Sequence, residues 1–149
     1  MSQNSAERPV VPGEIILGES PLVPAGRARR SATVRVLNNS CWPVAVTSHF
    51  HFFEVNRRMR FDRSAAFGMH LDVIAGGAVR WSPGEIKAVD LVEYSGEREI
   101  HGFNGFTNAC LADPETFETL RSQAVQRITS AGYENVTLPG MTRAEPSPR

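Results

Sequence analysis

Four histidines are the side chains of this sequence with the clearest capacity to bind a metal or to move a proton. They are His49, His51, His70 and His101. Two of them lie in the segment SHFHFFEVN, residues 48–56, which also contains Glu54. Residues two apart on a β-strand point to the same face about 7 Å apart, so His49 and His51 could share one metal ion.

With His101 as a third ligand, this pair resembles the metal motif of the cupin enzymes, which are β-barrels. Cupins place three or four residues between the second histidine and their glutamate, whereas two separate His51 from Glu54. Strict alternation predicts Glu54 on the face opposite the histidines, unless a bulge shifts the register. No histidine follows the Pro-x-Gly turn at Pro83. A metal enzyme therefore stays the alternative, and we favour hydrogen bonding at a sheet surface or a subunit interface.

Nucleophilic catalysis has less support. No GxSxG motif is present, and neither Cys41 nor Cys110 is near a histidine in sequence. An approach of Cys110 to His101 in the folded chain stays open. The two cysteines lie outside any CxxC spacing, which favours reduced thiols in a cytoplasmic protein. We therefore predict no catalytic residues and no metal ligands on this chain.

Length and charge exclude other classes of function. The chain has 149 residues, enough for one domain with a hydrophobic core, and 16 basic residues balance 16 acidic ones. Such a balance argues against nucleic acid as the partner. No apolar run approaches the roughly 20 residues of a membrane span, and no secretory signal is recognisable at the N-terminus. A membrane partner is not expected.

Residues 13–106 show short extended runs separated by turn residues. Alternating or β-branched stretches at this spacing predict an all-β fold, an antiparallel β sandwich or a jelly-roll-like barrel. One helical turn capped by Asp62 is expected at residues 62–67. The predicted strands cover residues 14–17, 32–37, 44–55, 69–73, 78–81, 87–94 and 99–103.

An appended C-terminal amphipathic helix is predicted from about 113 to 131. Asp113 and Pro114 suit its N-terminus, and Gly132 suits its end. Four apolar residues at helical spacing should cover the chain's own sheet: Phe117, Leu120, Ala124 and Ile128. The expected organisation is a flexible arm (1–11), a β domain (12–109), the helical region (110–133) and a disordered tail (134–149).

The segment at residues 48–56 closely resembles the SH-aromatic-HFFEVN motif of urease β subunits. Further matches follow in order along residues 11–106, about two-thirds of the chain. They include Val11-Pro12-Gly13-Glu14-Ile15, Phe61-Asp62-Arg63, Gly68-Met69, Pro83-Gly84 and Gly102-Phe103. The chain departs from the family's usual residues at Thr47, His70, Gly77, Trp81 and Ser82.

The resemblance implies a β-rich, non-catalytic subunit of a nickel-dependent amidohydrolase that hydrolyses urea. It implies α and γ subunits as partners, in a trimer of heterotrimers. It also implies no cofactor on this chain and two nickel ions on the α subunit. A β-sandwich binding module for an unrelated partner stays a further alternative. The hypothesis for the subunit interface comprises His49, Phe50, His51, Phe52, Phe53, Glu54 and Asn56.

Overall fold

Eight short β-strands and one long helix form the described part of the protein, residues 12–13 and 29–140 of a computed structural model. A 3₁₀ helix at Phe52–Glu54 interrupts the strands. The strands are β1 (Ser31–Asn38), β2 (Val44–Thr47), β3 (Met59–Arg60), β4 (Met69–Leu71), β5 (Ala78–Trp81), β6 (Ile86–Glu93), β7 (Glu99–Ile100) and β8 (Ala109–Cys110). The helix is α1 (Pro114–Ser130).

All strand pairs within the described residues are antiparallel, as the sequence predicts. The largest sheet has the order β3-β1-β6-β4, while β2 pairs with β5 and β7 with β8. Strand β1 alternates between half-buried and buried residues, with Val34 and Val36 on the inner face. The sheets curl around a first hydrophobic cluster that includes Phe52, Phe61 and Trp81. The predicted all-β fold with an appended helix is confirmed.

Helix α1 packs against its own β domain. The Asp113 carboxylate accepts a hydrogen bond from the Glu115 amide at 2.9 Å, so the predicted N-cap is present. Phe117, Ala124 and Ile128 are buried in a second cluster with Phe53, Phe67, Ile100 and Leu111. Neither α1 nor any shorter helix in the described ranges has the length and hydropathy of a membrane span.

The prediction of one long strand over residues 44–55 is wrong. Strand β2 ends at Thr47, and the chain then turns, with the Phe50 amide donating to the Thr47 carbonyl at 3.3 Å. The 3₁₀ helix then forms through a bond from the Glu54 amide to the His51 carbonyl at 2.9 Å. Strands β3 and β8 were not predicted, since two residues are too few to show alternation.

The ends of the domain also differ from the expectation. Residues 134–140 are described, and the Val136 amide donates to the Phe61 carbonyl at 3.0 Å, so this part of the expected tail is attached to the domain. The predicted turn after Asp62 is present, with the Asp62 carboxylate accepting from the Ala65 amide at 3.0 Å. The expected arm (1–11), the strand at 14–17 and residues 141–149 lie outside the described residues.

Candidate functional site

A buried histidine–carboxylate pair lies at the centre of residues 48–56. His51 Nδ1 is 3.0 Å from Glu54 Oε1, and neither side chain is exposed to solvent. The Gly68 amide donates to His51 Nε2 at 3.0 Å. A backbone amide can only donate, so Nε2 must be the acceptor and Nδ1 carries the proton that goes to Glu54. The 3₁₀ winding brings these residues together, three positions apart.

The surroundings of this pair set its charge. Burial lowers the pKa of His51, against the opposing effect of Glu54, so the imidazole is neutral. Burial alone would raise the pKa of Glu54, but hydrogen bonds from His51, Thr107 and the Phe106 amide outweigh it, and the pKa is lowered. The pair is therefore a neutral imidazole that donates to a carboxylate anion.

Glu54 also ties the pair to residues 101–108, which we call the contact loop. Its Oε2 atom accepts from the amides of Asn104 at 3.0 Å and Phe106 at 3.1 Å. The Asn104 side chain donates in return to the Glu54 carbonyl at 2.6 Å. A buried carboxylate is stable only when donors surround it, and the contact loop supplies two of them.

Glu54 was expected on the face opposite His49 and His51. This expectation is wrong for His51, which contacts Glu54 directly. The alternative in which His49 and His51 share a metal ion gains no support, because both ring nitrogens of His51 are occupied by Glu54 and Gly68. His101 Nε2 instead lies 2.9 Å from Glu99 Oε1 at the surface. Among the residues that the structure describes, no three His, Cys, Asp or Glu side chains group as a metal site. The cupin-like arrangement gains no support.

His49 belongs to a second group of rings. Its exposed imidazole stacks on His70 with centroids 5.0 Å apart and planes 10° apart, and His70 contacts the Tyr94 ring at 4.9 Å. The Tyr94 hydroxyl donates to the His49 carbonyl at 2.6 Å. Burial, assisted by the charge of Glu54, raises the pKa of Tyr94, so the phenol keeps its proton. His49 is thus exposed but held in place.

A pair of aromatic rings lies beside this group. Phe50 is half-buried and packs edge-on against Phe103 of the contact loop, with centroids 5.0 Å apart. The Phe103 side chain remains 42% exposed. Phe103 was absent from the predicted interface, although an aromatic residue in the sequence Gly-Phe-Asn-Gly is a usable signal for a displayed side chain.

The seven predicted interface residues divide by burial. His51, Phe52, Phe53 and Glu54 have no exposed surface in the folded chain and pack within the domain. His49 and Asn56 are exposed and Phe50 is half-buried. The exposed or half-buried side chains in this region are therefore His49, Phe50, Asn56 and the neighbouring Phe103.

Arg63 is a structural residue whose role was not predicted. Its guanidinium is fully buried and is paired with backbone carbonyls, and burial lowers its pKa to about 10. All five N–H donors have a carbonyl acceptor at 2.6–3.2 Å. The acceptors belong to Phe53, Val55, Asn56, Met59 and Glu134. Arg63 thereby fixes the backbone that follows the histidine–carboxylate pair.

Comparison with known proteins shows which family this chain resembles. The family described as Urease beta subunit matches residues 12–110. The chain is 46% identical to "Urease subunit beta" of Bacillus sp. (strain TB-90) over 66% of this chain and 92% of that protein. It is 39% identical to "Urease subunit beta" of Staphylococcus epidermidis (strain ATCC 12228 / FDA PCI 1200) over 88% of this chain and 98% of that protein.

A third relative is longer. The chain is 45% identical to "Urease subunit gamma/beta" of Pseudomonas syringae pv. syringae (strain B728a), over 74% of this chain and 52% of that protein. This chain therefore spans about half the length of the gamma/beta relative. The match over residues 12–110 includes the histidine–carboxylate pair, Arg63 and the contact loop. The chain belongs to the urease beta subunit family.

Proposed function

We propose that this chain is a non-catalytic structural subunit of urease, the nickel-dependent complex that hydrolyses urea to ammonia and carbamate. The observation that carries the proposal is the bonding of His51, whose two ring nitrogens are used within the fold by Glu54 and Gly68. His51 thus has a structural role, because both of its hydrogen bonds stabilise the fold. The two relatives named urease subunit beta, matched over 92% and 98% of their length, support the same role.

The chemistry is assigned to another chain. Metal-assisted hydrolysis needs a metal with open coordination positions, a water of lowered pKa and a fixed acid or base. The four described histidines do not fit this need. Both ring nitrogens of His51 are occupied, and His49 Nδ1 lies 2.9 Å from Ser48 Oγ. His70 Nδ1 contacts the Leu71 carbonyl at 2.9 Å, and His101 pairs with Glu99. As the family resemblance implies, we propose that two nickel ions and the catalytic residues belong to the α subunit, with no cofactor on this chain.

The proposed partners are the α and γ subunits of urease, in a trimer of heterotrimers. The name of the Pseudomonas syringae relative joins gamma and beta, which supports a close association between the two parts. We place the complex in the cytoplasm. The free thiols of Cys41 and Cys110, both exposed, are compatible with a reducing compartment.

The contact with the α subunit is proposed at the surface formed by His49, Phe50, Asn56 and Phe103. Aromatic anchors are enriched at the centres of protein interfaces, and Phe103 is an exposed aromatic side chain with a supporting ring beneath it. His49 is fixed by its own stack and by the bond from Tyr94. A fixed surface loses little conformational entropy when a partner binds.

Co-purification tests this function. The chain is co-expressed with urease α and γ subunits from the same organism, with an affinity tag on the α subunit, and ammonia release from urea is measured. We expect the chain to co-purify in equal amount and the complex to release ammonia. Absence of the chain from a complex that is active without it would contradict the proposal.

A pair of variants tests the surface. Phe103→Ala should weaken assembly by about 2 kcal/mol, as truncation of a central aromatic anchor does. The matched control is Thr119→Ala on the exposed side of α1, which should leave assembly unchanged. Equal effects of both variants on assembly would show that Phe103 does not belong to the interface.

A further inference from the structure

The contact loop has a backbone conformation that regular secondary structure does not stabilise. Four of its residues have positive φ angles: Gly102 (82°), Phe103 (51°), Gly105 (77°) and Asn108 (45°). Glycine adopts this region without cost and asparagine tolerates it, but a phenylalanine there is strained. Phe103 is held in a strained conformation while its ring stays partly exposed. Contacts from outside the loop must therefore maintain it.

Two groups of contacts hold the contact loop from different directions. Glu54 accepts from the Asn104 and Phe106 amides on the side of the β domain. On the other side, Arg127 of α1 donates to the Phe106 carbonyl through Nε at 3.1 Å and Nη2 at 2.7 Å. The ring of Tyr133, just beyond α1, meets the Phe106 ring edge-on at 5.1 Å. The amide and the carbonyl of Phe106 are thus hydrogen-bonded, and its ring is packed against Tyr133.

The rest of α1 is occupied within the chain. Phe117, Ala124 and Ile128 are buried in the second hydrophobic cluster. Glu118 and Arg121 form an ion pair on the helix's outer side. Residues 114–130 also lie beyond the stretch that matches the family, which ends at residue 110. The Phe117 ring also contacts the guanidinium groups of Arg30 and Arg98. In addition to these contacts, α1 reaches the contact loop through the bonds from Arg127 to the Phe106 carbonyl.

We propose that α1 is a brace for the contact loop and that Arg127 is a positioning residue, which keeps Phe103 in the orientation that meets the α subunit. The proposal rests on the proposed function for the identity of the partner only. The helix then promotes assembly without touching the partner, because it fixes a strained loop before binding occurs. A loop that is ordered in advance loses less entropy on association.

Amide hydrogen exchange in the full-length chain tests the brace directly. The Asn104 and Phe106 amides report on the loop, and the amides of β1 and β6 report on the domain as a whole. Arg127→Ala removes both charge-assisted hydrogen bonds to the Phe106 carbonyl, so we expect about tenfold faster exchange at Asn104 and Phe106. Exchange in β1 and β6 should not change.

Two further variants make the test specific. Arg121→Ala is the matched control, because Arg121 lies on the same helix and pairs with Glu118; it should leave exchange in the loop unchanged. Arg127→Lys keeps the charge but lacks the two fixed N–H groups that reach the Phe106 carbonyl together, so it should give intermediate exchange, and it serves if the alanine variant does not fold. Unchanged exchange at Asn104 and Phe106 in both Arg127 variants would overturn the brace.

Affinity for the α and γ subunits is then measured with the same variants. We expect Arg127→Ala to weaken binding several-fold and Arg121→Ala to have no effect. Faster loop exchange with unchanged affinity would overturn the role of the brace in assembly. Failure of the unmodified chain to bind these subunits would instead contradict the proposed function, and exchange in the isolated chain would still measure the brace.

Discussion

Phe52 and Phe53 are neighbours in sequence but lie in different hydrophobic clusters. Phe52 packs at 5.1 Å from the Phe61 ring within the β-sheets, and Phe53 packs at 5.3 Å from the Phe67 ring beside α1. Both rings are fully buried. The 3₁₀ helix Phe52–Glu54 therefore joins the two halves of the core, and the family motif has a structural function at this point.

Truncation of Phe53 should damage the fold before it damages assembly. Phe53→Ala leaves a cavity between α1 and the β domain, and we expect a loss of about 3–5 kcal/mol in the free energy of unfolding. Phe50→Ala is the control, because Phe50 is half-buried and should cost much less. Equilibrium unfolding in denaturant measures both values. If the Phe53→Ala chain were stable but assembled more weakly, Phe53 would belong to the interface.

Arg63 should resist conservative replacement. Arg63→Lys keeps the charge but has three donors for five carbonyl groups, and the lost bonds are buried. We expect a destabilisation on the order of 3 kcal/mol. Arg60→Lys is the comparison, since Arg60 forms a partly exposed ion pair with Glu134 at 2.6 Å and should cost at most about 1 kcal/mol. Similar thermal midpoints for both variants would show that the carbonyl contacts contribute little.

Acid should destabilise the chain in two steps. The pKa of His51 is lower in the folded state than its ordinary value of 6.5, so the unfolded chain binds a proton first as pH falls below about 6.5. The pKa of Glu54 is also lowered, from 4.5, which adds a second loss below that pH. Stability should therefore be highest above pH 6.5 and fall by up to about 1.4 kcal/mol per pH unit for each proton.

Replacement of His51 isolates the first step. His51→Asn keeps a donor for Glu54 and has no titrating ring, so it should lose stability overall but show a flat profile between about pH 7.5 and 5.5. His101→Asn is the control, since His101 is exposed and pairs with Glu99 at the surface. Unfolding free energies measured across this range decide the matter. A profile for His51→Asn that matches the unmodified chain would contradict the assignment.

The sequence predicted those elements whose signals are local. Strand β5 was predicted with its observed bounds, and α1 within one residue at each end, because capping by Asp113 and the apolar spacing are properties of neighbouring residues. Residues 44–55 were predicted as one strand because they are rich in aromatic and β-branched residues. The 3₁₀ turn within them depends on bonds to Gly68, Asn104 and Phe106, which are far away in sequence.

The sequence predicted only part of the candidate site, because the rest depends on contacts between residues far apart in sequence. The sequence singled out the segment that contains His49 and Glu54, but the burial of each side chain depends on partners that spacing does not reveal. Phe103 became a candidate only because the fold brings the contact loop against Phe50. The role of Arg127 likewise depends on a contact across 21 residues of sequence.

The central claim is that His51 stabilises the fold and that neither His49 nor His51 holds a metal. Nickel binding by the purified full-length chain, measured by titration calorimetry together with ammonia release from urea, tests it most directly. We predict no stoichiometric nickel binding and no ammonia release above buffer, with or without added nickel. One nickel ion per chain that is lost in both His49→Ala and His51→Asn, together with urea hydrolysis by the chain alone, would contradict the account.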